Sequence, residues 1–366
     1  MFKYLLLTLI WIPMAQASFK VIHYNVKELD SGKITTPGND QINAVKKVLS
    51  RFSSDIISLN EIQYDMPGVP NNDFKTKGEN LSKLKSLIGA DKLNYQSFHP
   101  ANTGMDAKRK KDKTYYSEYI EASARSHADQ VNFGIFPAQY STGVLTKFKI
   151  ISEVIVSDLK WKEFNPNLDL SKFKQADGSE LPQDMELFDK NFSDITVEIE
   201  GKAVHIILLH TVPSYHFGNK YSVNDYRNAE QLRFLEWYLT GKTDHKVSLP
   251  SIQPLKSDAY YIAMGDFNVS VFDNGSEGSS VLKNLFKKSK LWMEAEKLSF
   301  TNESPGFDAP PLRLLLDYIV VSNNIKIKDA QIVHPKKMNL KAPDSEYKTF
   351  KMASDHYPIY GEFELQ

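Results

Sequence analysis

The chain has 366 residues, 41% of them hydrophobic, which is enough for one large hydrophobic core or two modest ones. Its 45 basic and 45 acidic residues balance to a formal net charge of zero, which excludes a global electrostatic preference for nucleic acid or anionic membranes. Cysteine is absent, so disulfides, cysteine nucleophiles and thiolate metal sites are excluded as well.

Residues 1–17 have the pattern of a secretory signal peptide. Lys3 supplies a short positive region, residues 4–14 are apolar, and Ala15-Gln16-Ala17 is a small-x-small cleavage site. The apolar stretch is too short to span a bilayer. We therefore expect cleavage after Ala17 and a secreted or periplasmic protein with no transmembrane segment in the mature chain.

Strand-like and helical patterns alternate along most of the remaining sequence. Residues 41–52, for example, place Ile42, Val45 and Val48 on one helical face. This alternation predicts an α/β protein, and no linker divides it, so residues 18–366 are predicted to form a single domain. The predicted strands are 19–26, 55–59, 142–150, 195–200, 203–209, 259–264, 314–321 and 357–363, and the predicted helices are 41–52, 81–88, 229–239 and 281–286.

Two segments lack a regular pattern. Residues 101–130 are polar, and the basic run 108–113 with its neighbouring tyrosines is either a contact for a phosphate backbone or a solvated loop. Residues 157–193 are rich in Asp, Lys, Pro and Asn and are typical of an insertion. The four aromatic residues of this insertion could form a lid, but packing is the favoured interpretation.

Polar side chains stand at the ends of the predicted apolar runs. Asp266 and Asn268 follow the run 259–264, and because strand side chains alternate between faces, they are expected to point the same way. Such groups are costly to hold at a buried strand exit unless something binds there. Ligands in α/β folds gather where strand ends meet. The polar residues at or beside strand ends are Asn25, Glu61, His210, Asp266, Asn268, Asp317, Asp355 and His356.

Three of these residues suit a metal ion. Glu61 and Asp355 are hard oxygen ligands that, together with Asn25, fit Mg²⁺, Mn²⁺ or Ca²⁺ better than zinc. Each residue alone also has an ordinary explanation as a turn former or helix cap. Their joint occurrence is what supports a site.

The two histidines at strand ends suggest acid–base chemistry. His210 and His356 could serve as acid and base, or as donors to a developing oxyanion. Asp317, which is expensive to bury unpaired, could orient His356 as the third member of a triad does. A hard metal ion combined with histidines and carboxylates fits attack of water on phosphorus.

In their order along the chain and in the residues beside them, these residues resemble the endonuclease/exonuclease/phosphatase superfamily, whose prototype fold is that of deoxyribonuclease I. The resemblance covers almost the whole mature chain and implies a four-layer αββα sandwich with two packed mixed β-sheets and the site at one end. The matching segments are Tyr24-Asn25-Val26, Leu59-Asn60-Glu61-Ile62-Gln63, Leu209-His210-Thr211, Gly265-Asp266-Phe267-Asn268, Leu316-Asp317-Tyr318-Ile319 and Ser354-Asp355-His356-Tyr357-Pro358.

The resemblance also implies residue roles. It implies a divalent metal, Mg²⁺ or alternatively Mn²⁺ or Ca²⁺, at Glu61 with help from Asn25 and Asp355. Asp266 and Asn268 are implied to position the nucleophilic water and the phosphate.

For the histidines, the resemblance implies that His210 stabilises the transition state or assists the leaving group. His356, held by Asp317, is implied to act as base or phosphate ligand, which leaves Asp266 and His356 as rival bases. In deoxyribonuclease I a second glutamate partners the histidine at the position of His210. Glu118 and Glu121 are the candidates for that partner here.

We therefore expect a monomeric, secreted, metal-dependent phosphodiesterase that acts on a phosphate ester, either in nucleic acid or in a phospholipid such as sphingomyelin. The alternatives are a phosphomonoesterase and a catalytically silent binding module of the same fold. Neutral net charge weakens the DNA-nuclease interpretation. The sequence shows no long Trp- and Phe-rich loop of the kind that would favour a lipid-binding hairpin.

Overall fold

The computed structural model describes residues 18–66, 69, 78–116, 123–304, 311–339 and 341–366. The predicted signal peptide and both Glu118 and Glu121 lie outside the described residues. Within the described ranges, no helix is both long enough and apolar enough to cross a membrane.

Strands and helices alternate along the described chain, as the sequence predicts. The strands are β1 (Phe19–Leu29), β2 (Ile56–Ile62), β3 (Tyr95–His99), β4 (Ser141–Thr146), β5 (Ile150–Val156), β6 (Phe192–Ile199), β7 (Lys202–His210), β8 (Tyr260–Asp266), β9 (Lys290–Leu291), β10 (Asn302–Ser304), β11 (Leu312–Leu314), β12 (Asp317–Val321), β13 (Ile325–Ile332) and β14 (Ile359–Leu365). The α-helices are α1 (Ser31–Thr35), α2 (Asp40–Leu49), α3 (Glu79–Leu87), α4 (Trp161–Phe164), α5 (Asn224–Thr240), α6 (Glu277–Lys288) and α7 (Ser345–Ala353).

Two six-stranded mixed sheets form the body of the fold. The first has the strand order β13-β14-β1-β2-β4-β3, and the second has the order β5-β6-β7-β8-β12-β9. Each sheet contains one parallel pair, β1 with β2 and β7 with β8, and antiparallel neighbours on both sides of that pair. β10 and β11 form a separate hairpin.

The sheets pack against each other, and helices cover their outer faces. Val21 and Ile56 of the first sheet share a buried core with Ile206 and Ile262 of the second. The residues of β1 that alternate with Val21 instead pack with α2, α3 and α7 in a second core, while α5 and α6 join the core of the second sheet. These layers confirm the predicted αββα sandwich.

Along the strands of both sheets, the inward-facing positions change from apolar to polar toward one end, which is termed the polar end. In β1 the inward series runs from Val21 through His23 to Asn25, and in β8 it ends at Asp266. The side chains of Asn25 and Asp266 meet across the gap between the sheets. The same alternation that builds the apolar core therefore delivers polar groups to one place.

Two predicted strands are wrong, because each covers parts of two strands in the structure. Residues 142–150 were predicted as a single strand, but β4 lies in the first sheet and β5 in the second. In the sequence, the two apolar runs are separated only by residues 147–149 and therefore look continuous. In the structure, the chain crosses from the first sheet to the second at these residues. The predicted strand 314–321 is likewise two strands, so Asp317 begins β12 rather than interrupting a strand.

The insertion packs against the second sheet, which supports the packing interpretation over the lid. Trp161, Phe164 and Phe188 are fully buried, and both phenylalanines contact the Phe234 ring of α5. In the basic segment, Tyr115 is buried beneath the Arg109 guanidinium and is not available for stacking on a base.

Candidate active site

The eight predicted site residues converge between the sheets at the polar end of the strands. They arrive from strand ends and starts alike, because β12 runs antiparallel to β8 and β14 antiparallel to β1. The start of β12 therefore lies beside the end of β8, and Asp317 stands directly opposite Asp266 in the sheet.

Asp266 is the centre of the cluster. Its Oδ2 accepts a hydrogen bond of 3.1 Å from Asn25 Nδ2 and lies 3.6 Å from His210 Nε2 and 3.7 Å from His356 Nε2. Its Oδ1 accepts the backbone N–H of Asn268 at 2.9 Å. Burial, with Asp317 adding to it, raises the pKa of Asp266 to about 7 even though His356 opposes the change.

Asn268 reaches the site through a turn and not through strand alternation. β8 ends at Asp266, and Asn268 has a φ of +49°. Its side-chain amide donates to the backbone oxygen of Thr211 at 3.0 Å. The alternation argument for Asn268 is therefore wrong, although its side chain does lie beside the same cavity.

His356 has the predicted aspartate partner. Its Nδ1 donates to Asp317 Oδ2 at 2.8 Å. Burial alone would lower the pKa of His356, but Asp317 and Asp266 outweigh it and raise the pKa to about 10. Burial would raise the pKa of Asp317, but the positive charge of His356 outweighs burial and holds that pKa well below its usual range. The pair is thus an imidazolium and a carboxylate at neutral pH.

His23 is a site residue that the sequence analysis missed. Its Nε2 lies 3.3 Å from Asp317 Oδ1, and its Nδ1 lies 3.1 Å from Ser58 Oγ. The signal was present, because a histidine two residues before Asn25 in an apolar strand faces the same way as Asn25. Asp317 therefore has a histidine on each side.

The predicted metal ligands form an electronegative corner. Asn25 Nδ2 donates to Glu61 Oε1 at 2.8 Å, and the backbone N–H of Glu28 donates to Glu61 Oε2 at 3.0 Å. Burial, followed by repulsion from Glu28 and Asp355, raises the pKa of Glu61 to about 7. Asp355 itself contacts Lys27 Nζ at 3.2 Å.

This corner fits a hard divalent cation. Carboxylate oxygens of Glu61 and Asp266 and a ring nitrogen of His210 lie within 4.8 Å of one another, and Asp266, Asp317 and His356 form a second such group. Repulsion among buried carboxylates is relieved when a cation binds between them. Glu61 belongs to one of these groups, whereas the predicted ligand Asp355 belongs to neither.

Backbone strain coincides with the site. Glu61 and Asn268 have φ angles of +66° and +49°, and Lys27 and Glu28 have φ angles of +48° and +50°. Each such residue costs on the order of 1 kcal/mol or more, and strain of this kind clusters at functional sites. In β1 and β2 it accompanies the register shifts that turn Glu28 and Glu61 toward each other.

His210 differs in charge from His356, the other histidine beside Asp266. Its Nδ1 is buried without a hydrogen-bond partner among the described residues. Burial, with the nearby Lys190 ammonium adding to it, holds the pKa of His210 well below its usual range. His210 is therefore neutral at physiological pH.

Helix α5 fixes the strand ends that carry the site. The side-chain amide of Asn228 donates to Val212 O at 2.7 Å, to Phe267 O at 3.0 Å and to Thr211 Oγ1 at 3.0 Å. One buried side chain thus links the chain after β7 to the chain after β8.

The site opens into a cavity of about 640 Å³. Its floor contains six of the eight predicted residues, and Asn25 and Asp317 lie behind them. The walls come from segments 125–140, 174–190 and 212–224. Phe217 lines the cavity and is 67% exposed, and Tyr215 and Tyr221 of the same segment are each 50% exposed. These three residues are termed the aromatic rim, a feature that the sequence analysis did not anticipate.

The fold is shared with several solved structures. The chain matches an endonuclease/exonuclease/phosphatase from Beutenbergia cavernae with a TM-score of 0.54 and 15% identity, covering 95% of this chain and 72% of that one. It matches D. rerio TDP2 complexed with a single-strand DNA product with a TM-score of 0.51 and 15% identity, covering 95% and 99%. A family protein from Bacteroides thetaiotaomicron matches with a TM-score of 0.51 and 12% identity, covering 96% and 99%.

A search of the curated proteins found no significant match. The sequence profile described as "Endonuclease/Exonuclease/phosphatase family", however, matches residues 22–356. This span starts within β1 and ends at His356, so it includes every residue of the cluster. The chain belongs to the endonuclease/exonuclease/phosphatase family.

Proposed function

We propose that this protein is a metal-dependent phosphodiesterase that hydrolyses its substrate by attack of water on phosphorus. The observation that carries the proposal is the buried Asp266 carboxylate between two histidines, with Asn25 connecting it to Glu61. This arrangement combines a proton acceptor, donors for phosphate oxygens and a cation site in one cavity.

Glu61 and Asn25 would hold the metal ion, with Asp355 nearby. When bound, a divalent cation supplies positive charge that stabilises the oxygens of the pentavalent transition state. Asn25 and the Glu28 backbone N–H orient the Glu61 carboxylate for this role.

Asp266 is proposed as the general base in preference to His356. A base must be unprotonated at the working pH. The pKa of Asp266 is about 7, whereas that of His356 is about 10, so His356 carries a proton that Asp266 can lack. His356 then donates a charged N–H to a phosphate oxygen while Asp317, which His23 contacts in turn, holds its orientation.

The first experiment measures hydrolysis of bis(4-nitrophenyl) phosphate by the chain without residues 1–17. We expect turnover with Mg²⁺ or Mn²⁺ and its loss with EDTA. Asp266→Asn and His356→Ala are each expected to lower kcat by 100-fold or more, on the order of the loss of a general base or of a charged donor.

His205→Ala is the matched control, because His205 Nδ1 also contacts a buried aspartate, Asp194, at 2.7 Å, but lies away from the cavity. It should keep wild-type kcat. Wild-type activity in His356→Ala, or no turnover by the wild type with either metal, would contradict the proposal.

Two substrate classes are supported by separate observations. The TDP2 neighbour was solved with a single-strand DNA product, which favours nucleic acid. The aromatic rim favours a phospholipid, since exposed aromatic side chains insert at membrane interfaces. Single-stranded DNA, sphingomyelin vesicles and 4-nitrophenyl phosphate as a monoester control form the panel that separates these classes.

We also propose export. The motivation is the pattern of residues 1–17. N-terminal sequencing of the chain recovered from outside the cytoplasm should begin at Ser18. Recovery only inside the cytoplasm with Met1 intact would exclude export.

A further inference from the structure

Lys190 is a buried lysine that the proposed mechanism does not use. It lies two residues before β6, at the end of the insertion, and is only 5% exposed. Its Nζ donates to Asp189 Oδ2 at 2.7 Å and to Thr211 O at 3.3 Å. Lysine is rarely buried to this degree, so its position calls for an explanation.

The ammonium group is held in place by a buried network. Asp189 is 4% exposed, and its Oδ1 accepts a hydrogen bond of 2.9 Å from Gln231 Nε2. Gln231 Oε1 in turn accepts the backbone N–H of Val212 at 2.8 Å. Lys190 is therefore tied to the same segment that carries His210, with little freedom to move.

This network places the ammonium beside the residues proposed to bind phosphate. Thr211 O accepts from both Lys190 Nζ and Asn268 Nδ2, so those two nitrogens are neighbours. Thr211 follows His210 directly, and Lys190, His210 and Asn268 all line the cavity.

One donor of Lys190 is free for a ligand. An ammonium has three N–H groups, and among the described residues only Asp189 and Thr211 accept from it. A buried donor without a partner is unfavourable. A purely structural lysine would be better satisfied, whereas a lysine lining a phosphate cavity has its third acceptor supplied by the substrate.

We propose that Lys190 is a further catalytic residue, whose ammonium donates to a non-bridging oxygen of the phosphoryl group during hydrolysis. Asp189 and Gln231 are its positioning residues. This inference rests on the proposed phosphoesterase function. No covalent step is involved, since Lys190 keeps its proton throughout and acts by stabilising charge that grows in the transition state.

The test compares Lys190→Met and Lys190→Gln with the control Lys288→Met. Lys288 also pairs with a buried carboxylate, that of Glu236, but outside the cavity. With bis(4-nitrophenyl) phosphate, Lys190→Met is expected to lower kcat about 100-fold with a smaller change in KM, as for removal of one oxyanion donor. Lys288→Met should keep wild-type kcat.

Binding of inorganic phosphate, measured by calorimetry, separates this inference from the proposed function. Weaker phosphate binding in Lys190→Met than in Lys288→Met supports the Lys190 site. If the wild type at the same time hydrolyses no diester, the proposed function is rejected while the Lys190 site is retained. Wild-type kcat and phosphate affinity in folded Lys190→Met would overturn the inference.

Should Lys190→Met fail to fold, Lys190→Gln decides, because glutamine keeps a donor for Asp189 and removes the charge. Loss of the charge should lower kcat on bis(4-nitrophenyl) phosphate about 100-fold. Wild-type kcat and phosphate affinity in folded Lys190→Gln would overturn the inference.

Discussion

At the scale of single residues, two carboxylates of the site differ in pKa because their surroundings differ. Asp317 lies between His356 and His23, and its pKa is well below its usual range. Asp266, its neighbour across β8 and β12, has a pKa of about 7. One carboxylate is therefore a permanent counter-ion and the other can exchange a proton, a division of roles that depends on the histidine partners and not on residue type.

Glu61 gives a prediction for the metal-free protein. Its pKa rises from 4.5 to about 7 on folding, so folding favours its protonated form. Its contribution to stability is full below pH 4.5 and declines as pH rises through about 7. At pH 8, Glu61→Gln should therefore be more stable than the wild type without metal, by up to about 3 kcal/mol. Denaturant unfolding in EDTA measures the difference.

Added Mg²⁺ or Mn²⁺ completes that experiment. Metal should raise the Tm of the wild type at pH 8 and raise that of Glu61→Gln much less, since binding to the folded state stabilises it. Glu198→Gln, at an exposed position of β6, should behave as the wild type. An equal metal response in wild type and Glu61→Gln would remove Glu61 from the cation site.

At the scale of secondary-structure elements, the parallel pair β7–β8 sets the spacing between His210 and Asp266. Gly265 stands beside Leu209 in this pair, and a Cβ at Gly265 would lie 1.6 Å from Leu209 O. The two strands approach closely at this point only because Gly265 has no side chain.

Gly265→Ala tests that close approach. The added methyl must push β8 away from β7 one residue before Asp266. We expect a loss of about 3 kcal/mol in the free energy of unfolding and a fall in kcat, because the distance between His210 and Asp266 changes. Gly275→Ala is the control, since its Cβ would meet only the end of the Asp273 side chain at 3.4 Å. Unchanged unfolding and kcat in Gly265→Ala would show that the strands tolerate separation.

At the scale of the whole molecule, the walls of the cavity come from segments distant in sequence. The backbone of Lys174 in the insertion contacts Tyr221 and the side chain of Asn219, so the insertion supports the aromatic rim. Segments far apart in sequence therefore shape the entrance to the cavity.

The aromatic rim should distinguish substrates. Replacing Tyr215 and Phe217 by serine should leave hydrolysis of bis(4-nitrophenyl) phosphate within about twofold, because neither residue belongs to the cluster around Asp266. Turnover of the preferred substrate, single-stranded DNA or sphingomyelin vesicles, should fall about tenfold or more, the value of one lost base stack or interfacial anchor.

Ile151→Ser is the control for that experiment, because Ile151 is similarly exposed, at 46%, on the edge strand β5. It should leave all activities unchanged. If the rim variant loses activity equally on every substrate, or on none, the aromatic rim has no role in substrate choice.

The sequence alone determined the α/β class and the residues that meet at the site, because strand alternation and strand ends are local properties of the chain, and its resemblance to the family implied the αββα sandwich. It missed β3, β13, α7 and several shorter elements, and it merged β4 with β5, since a local pattern does not record a crossing between sheets. Only the tertiary structure decided the neighbours of each charged group. His23 meets Asp317, and Lys190 meets Thr211, through pairings between distant segments, and no local sequence pattern records such long-range contacts.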